Sequence, residues 1–181
     1  MSRAAGGALT VGIVSDTHDY LDPQLPELLR GSDLVLHAGD VTREPIVAAL
    51  ERIAPVRTAR GNNDLGPFGE SLPELLWIEL GALTALVVHE LGARTRFAPR
   101  VARAISRRPA DIVVHGHSHR PAVSIEDGRL VVNPGSAGRR RFSLPRTAAR
   151  MLVRGRSVEV TLYDLATSPP APTSEPFVAR L

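Results

Sequence analysis

Short apolar runs alternate with segments of helical character along the first third of the chain. The runs Leu9–Val14, Leu34–His37 and 56–59 have the length and β-branched content of buried strands. The segments 23–29 and 44–53 lie between them, and each begins near a proline, which a helix tolerates in its first turn. This alternation of strands and helices predicts parallel strand pairing with right-handed crossover connections.

The remainder of the chain contains apolar runs arranged in pairs around glycines, a pattern that predicts hairpins. The pairs are 75–80 with 83–88, 123–126 with 129–132, and 148–153 with 157–162. A helix at 99–107 and a buried strand at 112–115 complete the pattern. We therefore expect an α/β fold, a four-layer α/β/β/α sandwich of two mixed sheets flanked by helices. One domain spans residues 1–165, and the Pro-rich segment 166–181 is expected to be extended or disordered.

The composition excludes several functional classes. The chain has 181 residues and no cysteine, so any metal must be held by nitrogen and oxygen ligands. No apolar run is long enough to span a bilayer, and we expect a cytoplasmic protein that does not bind membranes. All 22 basic residues are arginine, yet the net charge is only +3 and aromatic residues make up 4%. Nucleic acid is therefore not an expected partner, because the net positive charge is small and few aromatic residues are present to stack on bases.

Polar clusters follow five of the predicted strands directly. They are Asp16-Thr17-His18, Gly39-Asp40, Gly61-Asn62-Asn63-Asp64, His89 and Gly116-His117-Ser118-His119. Ligand sites in α/β sheets gather outside the carboxyl ends of the strands. These clusters are therefore expected to converge on one crevice, although each cluster taken alone is a weak signal.

The residue types in these clusters suit a pair of divalent metal ions. Carboxylate, imidazole and amide oxygen ligands fit Mn²⁺, Fe²⁺ or Zn²⁺ better than a soft metal. One carboxylate, such as that of Asp40, can bridge two ions. His117 and His119 share a face of extended backbone, whereas His115 lies in the apolar strand and is expected to play a structural part.

With these clusters in this order, the sequence resembles the calcineurin-like metallophosphoesterase superfamily, and more narrowly its small YfcE-type phosphodiesterases. The family signature corresponds here to Asp16-x-His18, Gly39-Asp40, Gly61-Asn62-x-Asp64, His89, Gly116-His117-x-His119 and Asn133-Pro134-Gly135-Ser136. The resemblance covers residues 9 to 163. It implies a phosphodiesterase that acts on a small-molecule phosphodiester, and it leaves room for a homo-oligomer.

The resemblance also implies a role for each matching residue. Asp16, His18 and His119 would hold one ion; Asn62, His89 and His117 would hold the other; Asp40 would bridge both. Mn²⁺ is the expected metal, with Fe²⁺, Zn²⁺ and Ni²⁺ as alternatives. A hydroxide between the ions would attack phosphorus in line with the leaving oxygen. Asp40, Asn62, Asn63 and His117 are the residues expected to take part in catalysis.

Two positions depart from the family pattern. Asn63 stands where many members have His or Cys, and an amide can donate a hydrogen bond but cannot act as a general acid near neutral pH. Better turnover is therefore expected with aryl than with alkyl leaving groups. Glu90 stands where Gly is usual, and its side chain narrows the cleft, adds a carboxylate near the second metal, or points to solvent. The arginines 139–141 either reach a substrate phosphate or form a solvated loop.

Three other functions remain open from the sequence. The fold could serve as a non-catalytic interaction module, although this chain retains seven of seven expected metal ligands. It could process nucleic acid, which the dispersed arginines disfavour. It could also hydrolyse phosphomonoesters or nucleotides with the same metals.

Overall fold

The computed structural model describes residues 7–93, 96–141 and 143–181, and these residues form two β-sheets with helices on their outer faces. In the first half of the chain the elements are β1 (Leu9–Val14), α1 (Leu25–Leu28), β2 (Leu34–His37), α2 (Glu44–Glu51), β3 (Val56–Thr58), α3 (Gly66–Ser71), β4 (Leu75–Leu80) and β5 (Leu83–Val88). In the second half they are β6 (Gly92–Ala93), β7 (Arg96–Phe97), α4 (Pro99–Arg107), β8 (Ile112–Val114), β9 (Ala122–Glu126), β10 (Arg129–Asn133), β11 (Thr147–Arg154), β12 (Ser157–Asp164), β13 (Ala171–Pro172) and β14 (Phe177–Arg180).

Both large sheets are mixed, as the sequence predicts. The first sheet has the order β13-β12-β11-β1-β2-β3, and β14 also pairs with β12. Within it, β1, β2 and β3 are parallel neighbours, which confirms the expected pairing. The second sheet has the order β4-β5-β8-β10-β9, with β8 parallel to both β5 and β10. β6 and β7 form a separate short hairpin.

Apolar side chains fill three layers of core. Between the sheets, Ile13 and Leu36 of the first sheet belong to the same buried cluster as Val87 of the second. The outer face of the first sheet is covered by α1 and α2, and the outer face of the second is covered by α4. This arrangement confirms the α/β/β/α sandwich, because each sheet buries one face against its partner and the other against helices.

The proline-rich end of the chain adds strands to the first sheet. β14 pairs antiparallel with β12 from Ser157↔Arg180 to Val160↔Phe177, and β13 pairs with the far end of β12. The sequence left extended and disordered chain as alternatives for this segment, and the structure shows extended strands. Proline is tolerated here because an edge strand needs no ladder hydrogen bond on its outer side.

The described part of the chain contains no helix that is both long enough and apolar enough to cross a membrane. The longest helix is α4, with 9 residues.

Candidate metal centre

Five loops meet where the carboxyl ends of the parallel strands of the two sheets face each other. The loops after β1, β2 and β3 come from one sheet, and those after β5 and β8 come from the other. Backbone hydrogen bonds connect neighbouring loops: Asp16 donates to the carbonyl of Gly39, and Gly116 donates to that of His89. Parallel pairing thus gathers residues that are up to 103 positions apart in the sequence, from Asp16 to His119.

The backbone of these loops is strained at the residues that the sequence picks out. Positive φ angles occur at Asp16 (54°), His18 (45°), Asp40 (56°), His117 (66°) and His119 (56°). A non-glycine residue in this region costs about 1 kcal/mol or more, and such strain concentrates at functional sites. The backbone at His117 and His119 is thus left-handed, so the sequence-based expectation of extended backbone at these two residues is wrong.

A first group of ligand atoms surrounds Asp16. Its Oδ1 lies 3.1 Å from Nε2 of His119 and 3.9 Å from Nε2 of His18, and these two imidazole nitrogens are 3.4 Å apart. Nε2 of His18 is also 3.7 Å from Oδ2 of Asp40. The ligand atoms of Asp16, His18 and His119 thus lie within 4.8 Å of one another, and Asp40 approaches them on the side of His18.

A second group shares Asp40. Its Oδ2 lies 3.3 Å from Nε2 of His89, which is 3.1 Å from Oδ1 of Asn62. The same amide oxygen lies 3.0 Å from Nδ1 of His117. The structure therefore brings together all seven residues that the sequence indicates as metal ligands. Both carboxylates face both groups, because Oδ1 of Asp16 also lies 3.9 Å from Nε2 of His89.

The donor set fits a bound cation. The buried Oδ1 of Asp16 accepts no hydrogen bond of good geometry from the described residues, whereas its Oδ2 accepts from Ser15 Oγ and from the amide of His117. Nδ1 of His89 lies 2.7 Å from the carbonyl of Ala38, so this nitrogen carries the proton and Nε2 is directed at two oxygens. Oxygen and nitrogen lone pairs that face one another in this way need a positive charge between them.

The acid–base properties of the site agree with this requirement. Burial disfavours ionisation of Asp40 and Asp16, but contacts with His89 and His119 outweigh it, so the pKa of each carboxyl lies below its ordinary value. Burial lowers the pKa of His89, yet the carboxylates of Asp40 and Asp16 more than offset it and the net shift is upward. A metal ion and a proton would therefore compete for Nε2 of His89, because a ligating imidazole nitrogen must be deprotonated.

The Asn133–Ser136 turn supports the ligand loops through hydrogen bonds. Nδ2 of Asn133 donates to the carbonyl of Gly116 and to Oγ of Ser118, both at 3.0 Å. Oγ of Ser136 donates to the carbonyl of Asp16 at 3.0 Å. These hydrogen bonds fix the loops after β1 and β8 relative to β10. His115 also lies here, with Nδ1 3.4 Å from Nδ2 of Asn133.

His37 is a supporting residue that the sequence pattern did not reveal. It is fully buried at the end of β2, where its Nδ1 accepts from the amide of Gly39 at 3.2 Å. Nε2 therefore carries the proton and donates to Oγ1 of Thr17 at 3.0 Å. His37 thus connects the loop that bears Asp40 to the loop that bears Asp16 and His18. In the sequence, His37 is recognisable only as the last residue of a predicted apolar strand.

Asp64, which belongs to the polar cluster after β3, is a second supporting residue. Its carboxylate is fully buried and accepts three backbone amides: those of Asp40 at 3.0 Å, Gly61 at 2.7 Å and Thr42 at 2.6 Å. The sequence left open whether Asp64 was only a turn residue. The structure shows that it binds the loop after β2 to the loop after β3.

The buried His37 gives a prediction for stability against pH. Burial lowers its pKa to about 4, from an ordinary value of about 6.5. Between these values the unfolded chain binds the proton and the folded chain does not, so the free energy of unfolding falls as the pH drops from about 6.5 to 4. For metal-free protein in EDTA, His37→Gln is expected to reduce this slope by up to about 1.4 kcal/mol per pH unit, measured by urea unfolding.

His115 provides a second variant with the same expected sign, since burial also lowers its pKa to about 4. An unchanged slope in both variants would contradict the explanation based on buried neutral histidines.

Gly116 gives a prediction for metal affinity. A Cβ at this position would meet Oγ of Ser15 and come within 2.6 Å of Oδ2 of Asp16. Gly116→Ala is therefore expected to displace Asp16 and to weaken Mn²⁺ binding by at least about tenfold, measured by calorimetric titration. Gly7→Ala is the matched control, because a Cβ there meets no atom within 4 Å. Equal Mn²⁺ affinity in both variants would show that the placement of Asp16 does not govern binding.

Asn63, Glu90 and Arg141 lie around the rim of the site. Nδ2 and the backbone amide of Asn63 both donate to the Asp40 carboxylate at 2.7 Å, so this residue orients Asp40. Glu90 is exposed beside His89, in the wall of a cavity. Burial lowers the pKa of His18, and the positive charge of Arg141 lowers it further, which places Arg141 near the first ligand group.

The fold and the clustered side chains define a class: an α/β/β/α protein with His and Asp groups that could hold metal at the carboxyl ends of its strands. Residues 9–156 match the model of the calcineurin-like phosphoesterase superfamily domain. The match covers most of the chain, and the chain belongs to this superfamily.

Two relatives from Methanocaldococcus jannaschii support the assignment. One, named as a probable metallophosphoesterase, is 30% identical over 138 residues, which are 72% of this chain and 69% of the relative. The other, named as a phosphodiesterase, is 26% identical over 144 residues, which are 70% of this chain and 83% of the relative.

Solved structures show the same fold at lower identity. A predicted phosphoesterase from Streptococcus pneumoniae superposes with a TM-score of 0.75 at 22% identity and covers 97% of this chain and 99% of its own. Vps29 from Entamoeba histolytica, solved with Zn²⁺, has a TM-score of 0.71 at 21% identity and covers 96% and 98%.

Proposed function

We propose that this protein is a metal-dependent phosphodiesterase with a dinuclear centre. The observation that carries the proposal is the position of the Asp40 carboxylate, whose Oδ2 lies 3.7 Å from Nε2 of His18 and 3.3 Å from Nε2 of His89. A single oxygen is thereby shared by two groups of ligands. Asp16, His18 and His119 would hold one ion with it, and Asn62, His89 and His117 would hold the other.

The chemistry follows from the class of the ligands. When bound, two divalent cations supply Lewis acidity toward phosphoryl oxygens and provide a hydroxide nucleophile near neutral pH. Mn²⁺ is the metal we favour, and Fe²⁺, Zn²⁺ and Ni²⁺ suit the same nitrogen and oxygen ligands. The protein itself keeps the carboxylates ionised and the ligand nitrogens directed inward.

Asn63 has two roles in the proposed mechanism. One N–H of its amide holds Oδ2 of Asp40, and the other N–H can donate to the leaving oxygen of the substrate. An amide stabilises negative charge on that oxygen but transfers no proton to it. Catalysis should therefore depend on the basicity of the leaving group.

This role of Asn63 gives a direct prediction. The natural protein is expected to hydrolyse bis-p-nitrophenyl phosphate faster than dimethyl phosphate. The ratio of these two rates should be smaller in Asn63→His, because the imidazole can protonate a poor leaving group and the amide cannot. The two rates are measured for each protein at saturating Mn²⁺. Equal aryl-to-alkyl ratios in the two proteins would contradict the role.

The basic loop 139–141 would bind the substrate. Arg141 lies near His18, and an arginine can pair bidentately with phosphate oxygens. The guanidinium of Arg139 instead stacks on the ring of Tyr20, 4.8 Å from its centre, so these arginines have different surroundings. We assign phosphate contact to Arg141.

The complete set of ligands favours this function over a non-catalytic interaction module on the same fold. The test is to purify the protein without chelator, measure its metal content, and then assay the EDTA-treated protein with Mn²⁺, Fe²⁺, Zn²⁺ or Ni²⁺. Two ions per chain and metal-dependent hydrolysis of bis-p-nitrophenyl phosphate in excess over p-nitrophenyl phosphate are expected. A protein that binds no metal and hydrolyses neither ester would refute the proposal; faster hydrolysis of the monoester would identify a phosphomonoesterase.

A further inference from the structure

A cavity of about 260 Å³ opens beside the second group of ligands. Asn62 and His89 form the side of this cavity nearest to the proposed metals, so a group attached to a bound phosphate could extend into it. The remaining walls carry charged side chains, and none of them belongs to the proposed metal centre: they are Arg60, Glu74, Glu90 and Arg100.

Two of these four side chains neutralise each other. Nη1 of Arg100 lies 3.0 Å from Oε2 of Glu74, in an exposed ion pair. The other two have hydrogen-bonding capacity to spare. Nε of the half-buried Arg60 reaches the carbonyl of Asp64 at 3.4 Å, and no carboxylate within residues 7–93, 96–141 and 143–181 lies within 4.0 Å of its guanidinium. Glu90 has no ion pair with those residues either.

This balance of charge limits what the cavity can bind. Two guanidinium and two carboxylate groups sum to zero, so neither a second phosphate nor an ammonium group gains net attraction. None of the lining residues is a Phe, Tyr or Trp on which a nucleobase could stack. Hydroxyl groups fit best, because each both donates and accepts: Glu90 can accept from hydroxyls and Arg60 can donate to them.

We propose that this cavity binds a neutral, polyhydroxylated arm of the substrate, such as a sugar or glycerol group esterified to the phosphate. The proposal rests on the function proposed above and specifies its substrate class. Arg60 and Glu90 are then the residues that determine specificity, and the Glu at position 90 acquires a role that a Gly there could not fill.

Binding and turnover test the proposal separately. Calorimetry, with and without Mn²⁺, compares glycerol 3-phosphate with propyl phosphate, which differ only in two hydroxyls. Turnover compares glyceryl p-nitrophenyl phosphate with propyl p-nitrophenyl phosphate, which share a leaving group. We expect about a tenfold preference for the glyceryl compound in each comparison, the effect of one to two hydrogen bonds to charged groups.

Two variants test whether Arg60 and Glu90 cause the preference for the glyceryl compound. Arg60→Gln and Glu90→Gln are each expected to reduce the glyceryl-to-propyl ratio to within about twofold of unity. Arg103→Gln is the control, since this exposed arginine lies on the same helix as Arg100 but does not line the cavity, and it should leave the ratio unchanged.

Each outcome decides the question. A natural protein that binds both phosphates equally, or neither at millimolar concentration, overturns the proposal, as does tighter binding of 2-carboxyethyl phosphate or 2-aminoethyl phosphate than of glycerol 3-phosphate. Tighter binding of glycerol 3-phosphate without hydrolysis of either diester would support the cavity and refute the phosphodiesterase. Hydrolysis of both diesters at equal rates, with equal binding of the two phosphates, would support the phosphodiesterase and refute the role of the cavity.

Discussion

Replacement of Asp40 by asparagine is expected to lower kcat/KM for bis-p-nitrophenyl phosphate by about 10³-fold or more. Oδ2 of Asp40 faces ligands of both groups, at 3.7 Å from Nε2 of His18 and 3.3 Å from Nε2 of His89. Asn keeps the shape of the side chain and tolerates the positive φ of 56° at this position. The change removes the charge and one of the two oxygens that accept hydrogen bonds from Asn63. The metal content, measured on the same preparations, should fall below two ions per chain.

Asp127→Asn is the matched control for this experiment. Asp127 also has a positive φ, 48°, but it is exposed in the turn between β9 and β10. Since β10 runs parallel to β8, this turn lies at the opposite end of the sheet from the ligand loops. Its activity and metal content should equal those of the natural protein. Activity of Asp40→Asn within about tenfold of the control would exclude a bridging role for Asp40.

Replacement of Asp64 by alanine is expected to lower the free energy of unfolding by about 3–5 kcal/mol. The Asp64 carboxylate accepts the amides of Asp40, Gly61 and Thr42 in a fully buried position. Its removal leaves three buried N–H groups without their acceptor, and each such group carries a desolvation penalty. Urea unfolding in EDTA measures this loss without a contribution from bound metal.

The conservative variant Asp64→Asn should lose less, because the amide retains one acceptor oxygen. The control is Glu70→Ala, an exposed acidic residue on α3, which should change the stability by no more than about 0.5 kcal/mol. A loss of less than about 1 kcal/mol in Asp64→Ala would mean that water or other groups replace the carboxylate, and the loop would then not depend on it.

The bounds of several elements follow from the sequence alone. Leu9–Val14, Leu75–Leu80, Leu83–Val88 and Pro99–Arg107 begin and end in the structure at the residues expected from the apolar pattern. The reason is that each is a strongly periodic or continuous apolar run ended by a polar residue, Gly or Pro, so local preference and burial agree.

Elements formed by tertiary contacts were not predictable in this way. α3 follows the turn-rich segment 61–64 and carries Gly66 and Pro67, which locally favour a turn. Its Gly69 packs against the backbone of Asp64, where a Cβ would collide with the carbonyl group. β13 and β14 exist because β12 offers a free edge to a proline-rich segment that could also have stayed disordered.

The sequence by itself determined the family of this protein, the kinds of candidate ligand and their order after five strands. These are local properties, since a residue type and its place after a strand can be read directly from the chain. The tertiary structure alone decided which groups share Asp40, how His37 and Asp64 hold the loops, and which charges surround the cavity beside His89. Those features depend on contacts between residues 20 or more positions apart, such as His37 with Thr17 and Asp64 with Asp40, and only the packing of the two sheets brings such residues together.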